Sequence, residues 1–370
     1  MADAQIILTY SRDAGIVAIP SGGRYVSAQT ALEKAGFHRG EAGEYRLQAE
    51  DPDVTRTTLA VLVHLADTYG ASVTTSSRRF IGDAARDIAR LLPGQWDPHV
   101  ELYPRPLWQE DLVPWLWDSG ELGHAVQTER IPYAAVLTDR ASGTGLLLVE
   151  RPGHQLDYLV GAFAPDLFDD GYGDPHAPRS IVLPPFPGRA ARAITDQYLP
   201  AYERAIYARR TAAVSDALDL IRTKHGAWTA MVASGRYSDA TPMAAAALSA
   251  ATEQFLESSW RTFATVLDHA PALLDRCHPT ATPWPEDTDA LARLADALGD
   301  AETVREELAC GTPISRPERT AQTWPAIATW LAQGERFARQ ARGATPQPRC
   351  APAVAALPRA LLPGRPAPRR

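Results

Sequence analysis

A chain of 370 residues, 45% hydrophobic and 22% charged, has the composition of a globular protein of two or three domains, long enough to bury its cores without disulfide or metal staples. No run approaches the roughly eighteen apolar residues that cross a membrane, and the acidic start Met1–Gln5 is not a secretory leader, so a cytoplasmic protein with no membrane partner is expected. The net charge of −7 is unevenly placed: residues 339–370 hold seven arginines, seven prolines and no Asp or Glu, which leaves about −14 (−7 minus +7) on the rest.

Ile6–Tyr10 and Gly15–Ile19 read as two strands joined by a turn at Ser11–Ala14. Ser27 is the expected N-cap of a helix over 28–35 that stops at Gly36, and Tyr45–Leu47 is a third strand. Asp51-Pro52 opens a longer helix, in which Leu59, Leu62, Val63, Leu65 and Ala66 keep helical spacing until Gly70. Ser72–Ser76 follows as a strand, and a last helix covers about 82–92. The order ββαβαβα over residues 1–94 predicts a small α+β sandwich.

Residues 95–187 are rich in tryptophan and proline. Strands over 133–138, 145–150 and 157–163 with short turns predict an antiparallel meander, and 181–183 adds a fourth. The stretch 166–178, dense in Asp, Gly and Pro, is expected as an exposed loop. From 188 to 343 the periodicity is helical, with breaks expected near Pro200 and Gly226, and predicts a bundle of four or five helices. Residues 344–370 are expected as a disordered Arg/Pro-rich tail. The predicted fold class is α+β: a small sandwich, a Trp-rich meander, a helical bundle and a basic tail.

Reaction signatures are missing. There is no P-loop, GxGxxG, GxSxG or HExxH pattern, and Cys277, Cys310 and Cys350 form no CxxC pair, so neither cofactor nor metal is expected. Ser142-Gly143-Thr144-Gly145, after Asp139, has the look of a phosphate-cradling turn, but its place between two strands reads as a plain hairpin. Asp139, Glu150, His154 and Asp157 are grouped around one hairpin end, where solvated turn residues are the simpler reading. Arg204, Arg209 and Arg210 interleave with Glu203, Asp216 and Asp219 and read as a mixed surface.

Two features point further. Ser76-Ser77-Arg78-Arg79 stands where a strand hands over to a helix carrying Arg86 and Arg90, so Arg78 and Arg79 are the candidate anion or nucleic-acid ligands of the body. Arg365, Arg369 and Arg370 are their counterparts in the tail. The tryptophans of 108–118 offer either a groove for an aromatic group, a base or a peptide, or buried anchors between domains. Three functions stay open. The first is an interaction protein whose tail meets nucleic acid or an acidic protein. The second is an enzyme with a site between the α+β unit and the meander, using Arg78, Asp111, His124, Asp139 and His154. The third is a scaffold that forms homo-oligomers through its bundle.

Overall fold

The first apolar alternation closes as an antiparallel hairpin of β1 (Ala4–Ser11) and β2 (Gly15–Ser21), in register from Gln5 opposite Ser21 to Ser11 opposite Gly15. The computed structural model describes residues 4–48, 51–168, 171–236, 241–277, 284–310 and 316–344. Ser11 sets the hairpin turn: its Oγ accepts from the amides of Asp13 and Ala14 at 3.3 and 3.1 Å and donates to Asp83 at 3.0 Å. Helix α1 (Tyr25–Lys34) begins ahead of the expected cap, because the turn carbonyls of Gly22 and Arg24 already take the amides of Tyr25 and Ser27. Strands β3 (His38–Arg39) and β4 (Tyr45–Leu47) lead to α2 (Pro52–Thr68), which starts as expected: Asp51 accepts from the amides of Asp53 and Val54 at 2.8 and 3.4 Å.

Strand β5 (Ala71–Arg79) runs parallel to β1 and completes a sheet of order β3-β4-β2-β1-β5. It is longer than expected and absorbs Ser77, Arg78 and Arg79, so the handover to α3 (Ile81–Ala89) falls at Phe80. The period of two sorts the side chains. Ile6 and Ala18 pack with Leu32, Phe37 and Leu62 under α1 and α2, whereas Val17 and Ile19 pack with α3.

The second sheet follows β6 (Trp96–Leu102), α4 (Pro106–Glu110), β7 (Leu116–Trp117) and α5 (Glu121–Thr128). Its meander is β8 (Tyr133–Asp139), β9 (Gly145–Glu150), β10 (Tyr158–Phe163) and β11 (Ile181–Leu183), in the order β11-β10-β9-β8-β6, with β7 pairing to β10. The meander is as the sequence predicts. Strand β6 is an addition, hidden in the sequence by Pro98, which an edge strand tolerates because one side of it donates no ladder bonds. Ala135, Leu137, Leu146, Leu148 and Val160 join Val17, Ile19 and the apolar face of α3 in one core, while Ala134, Val136, Leu147, Val149 and Leu159 pack with α5 and with Leu112 and Leu116. The core therefore runs unbroken across residue 94, with α3 as the layer shared by both sheets.

Helix α6 (Pro187–Ala193) passes through a π turn (Ile194–Tyr198) into the 36-residue α7 (Leu199–Ser234), and α8 (Ala245–Leu274), α9 (Thr288–Ala309) and α10 (Arg316–Gly343) complete the helical end. The expected break at Pro200 is that π turn: the Leu199 amide reaches back to the Ile194 carbonyl, a wider loop that accommodates a ring without an N–H. No break occurs at Gly226, which stays inside α7 at a tolerable propensity cost. Helix α7 spans about 54 Å and ties the two cores together. Its Tyr202 and Ala205 belong to the sheet core, its Val214, Leu218 and Ile221 to the bundle core. Among the described residues no helix is long and apolar enough to cross a membrane.

Two expectations need correction. The 166–178 stretch is not a free loop in its described part: Phe168 is buried edge-on to Trp117 at 5.2 Å, and Asp174 accepts from Trp117 Nε1 at 3.1 Å and Arg209 Nε at 2.9 Å. The buried indole and the partly exposed guanidinium draw this carboxylate inward. Arg339 and Arg342, the first arginines of the basic end, lie on α10. Arg339 is bound to the buried carboxylate of Asp287, Nη2 to Oδ2 at 2.6 Å. Residues 345–370, with Arg365, Arg369 and Arg370, lie outside the described residues.

Candidate functional site

The residues singled out in the sequence do not meet in one place. Arg78 crosses from the first sheet to the second: Nη1 binds Glu150 Oε2 at 2.7 Å, and Nη2 donates to the carbonyls of Arg151, at 2.9 Å, and His154. Glu150 Oε1 in turn accepts from the Tyr133 hydroxyl at 2.9 Å. This guanidinium fastens two sheets, while Arg79 stands exposed beside it. His154 Nδ1 is 3.8 Å from Asp157 in the β9–β10 turn. Asp139 lies at the other end of β9, about 16 Å along the strand, so the grouping of Asp139 with Glu150, His154 and Asp157 is incorrect. Asp111 follows α4 and His124 lies exposed on α5, both over the opposite face of that sheet. Trp117 is a fully buried anchor, whereas Trp108 and Trp115 are exposed. Among the described residues no cluster of three His, Cys, Asp or Glu side chains suits a metal ion.

Asp139 does border a cavity of about 730 Å³, where the β8–β9 hairpin, the Phe163–Asp166 segment, α7 and Arg276, just beyond α8, converge. The hairpin turn is Asp139–Thr144. Gly143 takes φ +70°, which a β-carbon would strain, and the Asp139 carboxylate accepts from the Ser142 amide and hydroxyl at 3.1 and 2.6 Å. Those two bonds, the hydroxyl first, hold the Asp139 carboxyl below its ordinary range. Trp96, Val136, Phe163, Leu199 and Ile206 supply apolar wall, Tyr202 and Thr144 supply hydroxyls, and Arg210 and Arg276 supply positive charge. Asp139, Asp166 and Glu203 bring carboxylates to the same cavity, and Glu203 lies 4.0 Å from Arg276.

Arg210 is the residue that decides what this cavity suits. It projects from α7 where that helix passes between the two cores. Its Nε is enclosed without a hydrogen-bond partner, and among the described residues it forms no ion pair. Burial first, and then the like charge of Arg276, push its guanidinium below the ordinary arginine value. Burial likewise pushes the Tyr202 phenol up to about 12, with Thr144 and Arg210 acting against it. The cavity thus brings together two guanidinium groups, one of them without an ion pair among the described residues, three carboxylates, a phenol, a threonine and an apolar wall.

No protein-family model matches the chain, and neither does a curated protein or a solved structure.

The sequence carries a signal for this site that composition obscures. Leu199, Tyr202, Ile206 and Arg210 follow one another at steps of three and four, so an arginine closes an otherwise apolar and aromatic stripe of α7. Arg276, Trp96 and Phe163 come from distant segments, and only the tertiary fold brings them to that stripe.

Proposed function

We propose that this protein is an anion-binding protein whose ligand is a small organic molecule bearing a phosphate or carboxylate, held between Arg210 and Arg276. The observation that carries the reading is the partly buried guanidinium of Arg210, without an ion pair among the described residues, beside a second arginine in this cavity. An anion there supplies the partner that Arg210 lacks among the described residues, and offers oxygens in the geometry a guanidinium fork matches. The cavity volume lies in the range of small-molecule sites.

Calorimetric titration with phenyl phosphate tests this. Saturable one-to-one binding is expected for the native chain. Arg210→Met, with its circular dichroism unchanged, is expected to bind at least about tenfold more weakly, since a hydrogen bond to a charged group contributes roughly 1.5–3 kcal/mol. Equal affinities in the two proteins would contradict the site.

A second reading is favoured by the charge segregation: residues 345–370 carry five arginines and no Asp or Glu, about +5, which leaves about −12 (−7 minus +5) on the rest. In it the protein is a cytoplasmic interaction protein whose Arg365, Arg369 and Arg370 meet nucleic acid or another acidic partner. Removal of residues 344–370 is then expected to abolish a salt-sensitive association with single-stranded nucleic acid at about 50 mM salt. Association that persists unchanged after the truncation sinks this reading.

A further inference from the structure

A second cavity, of about 520 Å³, shares no lining residue with the arginine cleft. It lies where the two sheets meet, walled by the β1–β2 turn (Asp13, Ala14), the β3–β4 loop (Glu41, Glu44), α3 (Ala85, Arg86) and β6 (His99, Val100). The inference it carries does not rest on the anion site.

Glu44 is the unusual residue in this wall. Its side chain is only 2% exposed, because it is drawn in beside the fully buried Tyr45 at the start of β4. Oε1 accepts from Arg46, from Nε at 2.7 Å and also from Nη2. Oε2 is enclosed and has no hydrogen-bond partner among the described residues. Gly40 leaves the space that the carboxylate fills, since a Cβ there would stand 2.5 Å from Glu44 Cδ. An ionised oxygen without a donor is among the least favourable groups to bury, and native proteins almost always satisfy it.

The surrounding charges show what kind of donor is missing. Asp13, Glu41 and Glu44 face Arg46 and Arg86, three carboxylates against two guanidinium groups. Both arginines are already engaged: Arg46 with Glu44, and Arg86 with the buried Asp83 and, at 3.2 Å, with Asp13. His99 is held 3.1 Å from Glu101. The surplus is negative, and its most enclosed member is Glu44. Phe80, Ala85, Pro98 and Val100 form an apolar part of the same wall. Glu44 lines the cavity with Oε1 held by Arg46, so Oε2 is the oxygen left to accept from a ligand.

We propose that this cavity is a binding site for an organic ammonium ion, its N–H group donating to Glu44 and its short apolar stem lying over Phe80, Ala85 and Val100. A compact ammonium fits better than a guanidinium, because Arg46 already spans one oxygen of Glu44 and Arg86 flanks the cavity.

Benzylammonium chloride is the probe and benzyl alcohol its neutral counterpart, each titrated into the full chain and followed by amide chemical shifts. The expected result is saturable binding of benzylammonium, with shifts on β4, α3 and β6, and none of the alcohol. Glu44→Gln, which keeps the shape and removes the charge, is expected to weaken the ammonium by about fivefold or more. Ala42→Phe, at the exposed rim of the cavity, gives the same loss by narrowing the entrance and keeps the test decisive if Glu44→Gln does not fold. Equal binding of the alcohol, unchanged affinity in whichever variants fold, or no saturable binding up to about 20 mM overturns the proposal.

Discussion

Replacing Glu150 by alanine is expected to lower the stability of the folded chain by about 3–5 kcal/mol, whereas replacing Arg78 and Glu150 together by methionine and leucine is expected to be close to neutral. Glu150 and Arg78 are 16% and 10% exposed in their side chains, so the surrounding solvent screens little of their attraction. The single substitution strands the Arg78 guanidinium between two sheets with only carbonyls for partners, and it deprives the buried Tyr133 hydroxyl of its acceptor. The double substitution removes both charges and returns apolar volume to a site already bordered by the sheet core. Urea midpoints of the two variants and the native chain, read by near-ultraviolet circular dichroism, measure this. A loss below about 1 kcal/mol in Glu150→Ala would show that this ion pair does not fasten the sheets.

The second large effect is alkaline unfolding. Burial pushes the phenols of Tyr45, Tyr158 and Tyr202 up to about 12, and it raises Tyr103, Tyr133, Tyr198 and Tyr207 as well. Glu33, Glu101 and Glu150 add to the shifts of Tyr45, Tyr103 and Tyr133 by accepting their hydroxyl protons. An unfolded chain loses these protons near pH 10, while the folded chain keeps them. The stability they contribute is therefore complete below about pH 10 and is lost as pH rises toward 12. Two units on one tyrosine correspond to about 2.7 kcal/mol, so a few such groups match the whole stability of an ordinary domain. Absorbance at 295 nm during a pH titration is expected to show seven of the twelve phenols ionising in one steep step, together with loss of the near-ultraviolet signal. A gradual titration centred near pH 10 with tertiary signal intact would contradict this burial.

Local patterns in the sequence made most elements legible, because caps, breakers and alternation act over a few residues. Asp51-Pro52, Gly70 and the three meander strands fall where those rules place them. Pro98 misled for a local reason, since a proline argues against a strand unless that strand is known to be an edge. Pro200 marked a real irregularity but not its form: the wider turn that accommodates it lies where Tyr198 and Tyr202 pack against the sheet core. The site was less legible. Arg78 carried the right charge in a promising context, but its partner Glu150 is seventy-two residues away and turns it into a fastener. Arg210 looked like one charge in a mixed surface, while its helix in fact runs between two cores and leaves that guanidinium with no ion pair among the described residues. Whether an arginine is spoken for is a tertiary fact, and pattern alone does not carry it.

An unpaired arginine in a cleft destabilises the empty protein and rewards the bound one, and both halves can be read from one experiment. The thermal midpoint is measured for the native chain and for Arg210→Met with increasing phenyl phosphate at constant ionic strength. The account predicts a variant that melts higher than the native chain without ligand and barely responds to it. The native chain is predicted to gain about 2.7 kcal/mol at a hundred times its dissociation constant. Parallel rises in both proteins, or a variant that melts lower at every concentration, would show that Arg210 does not wait for an anion.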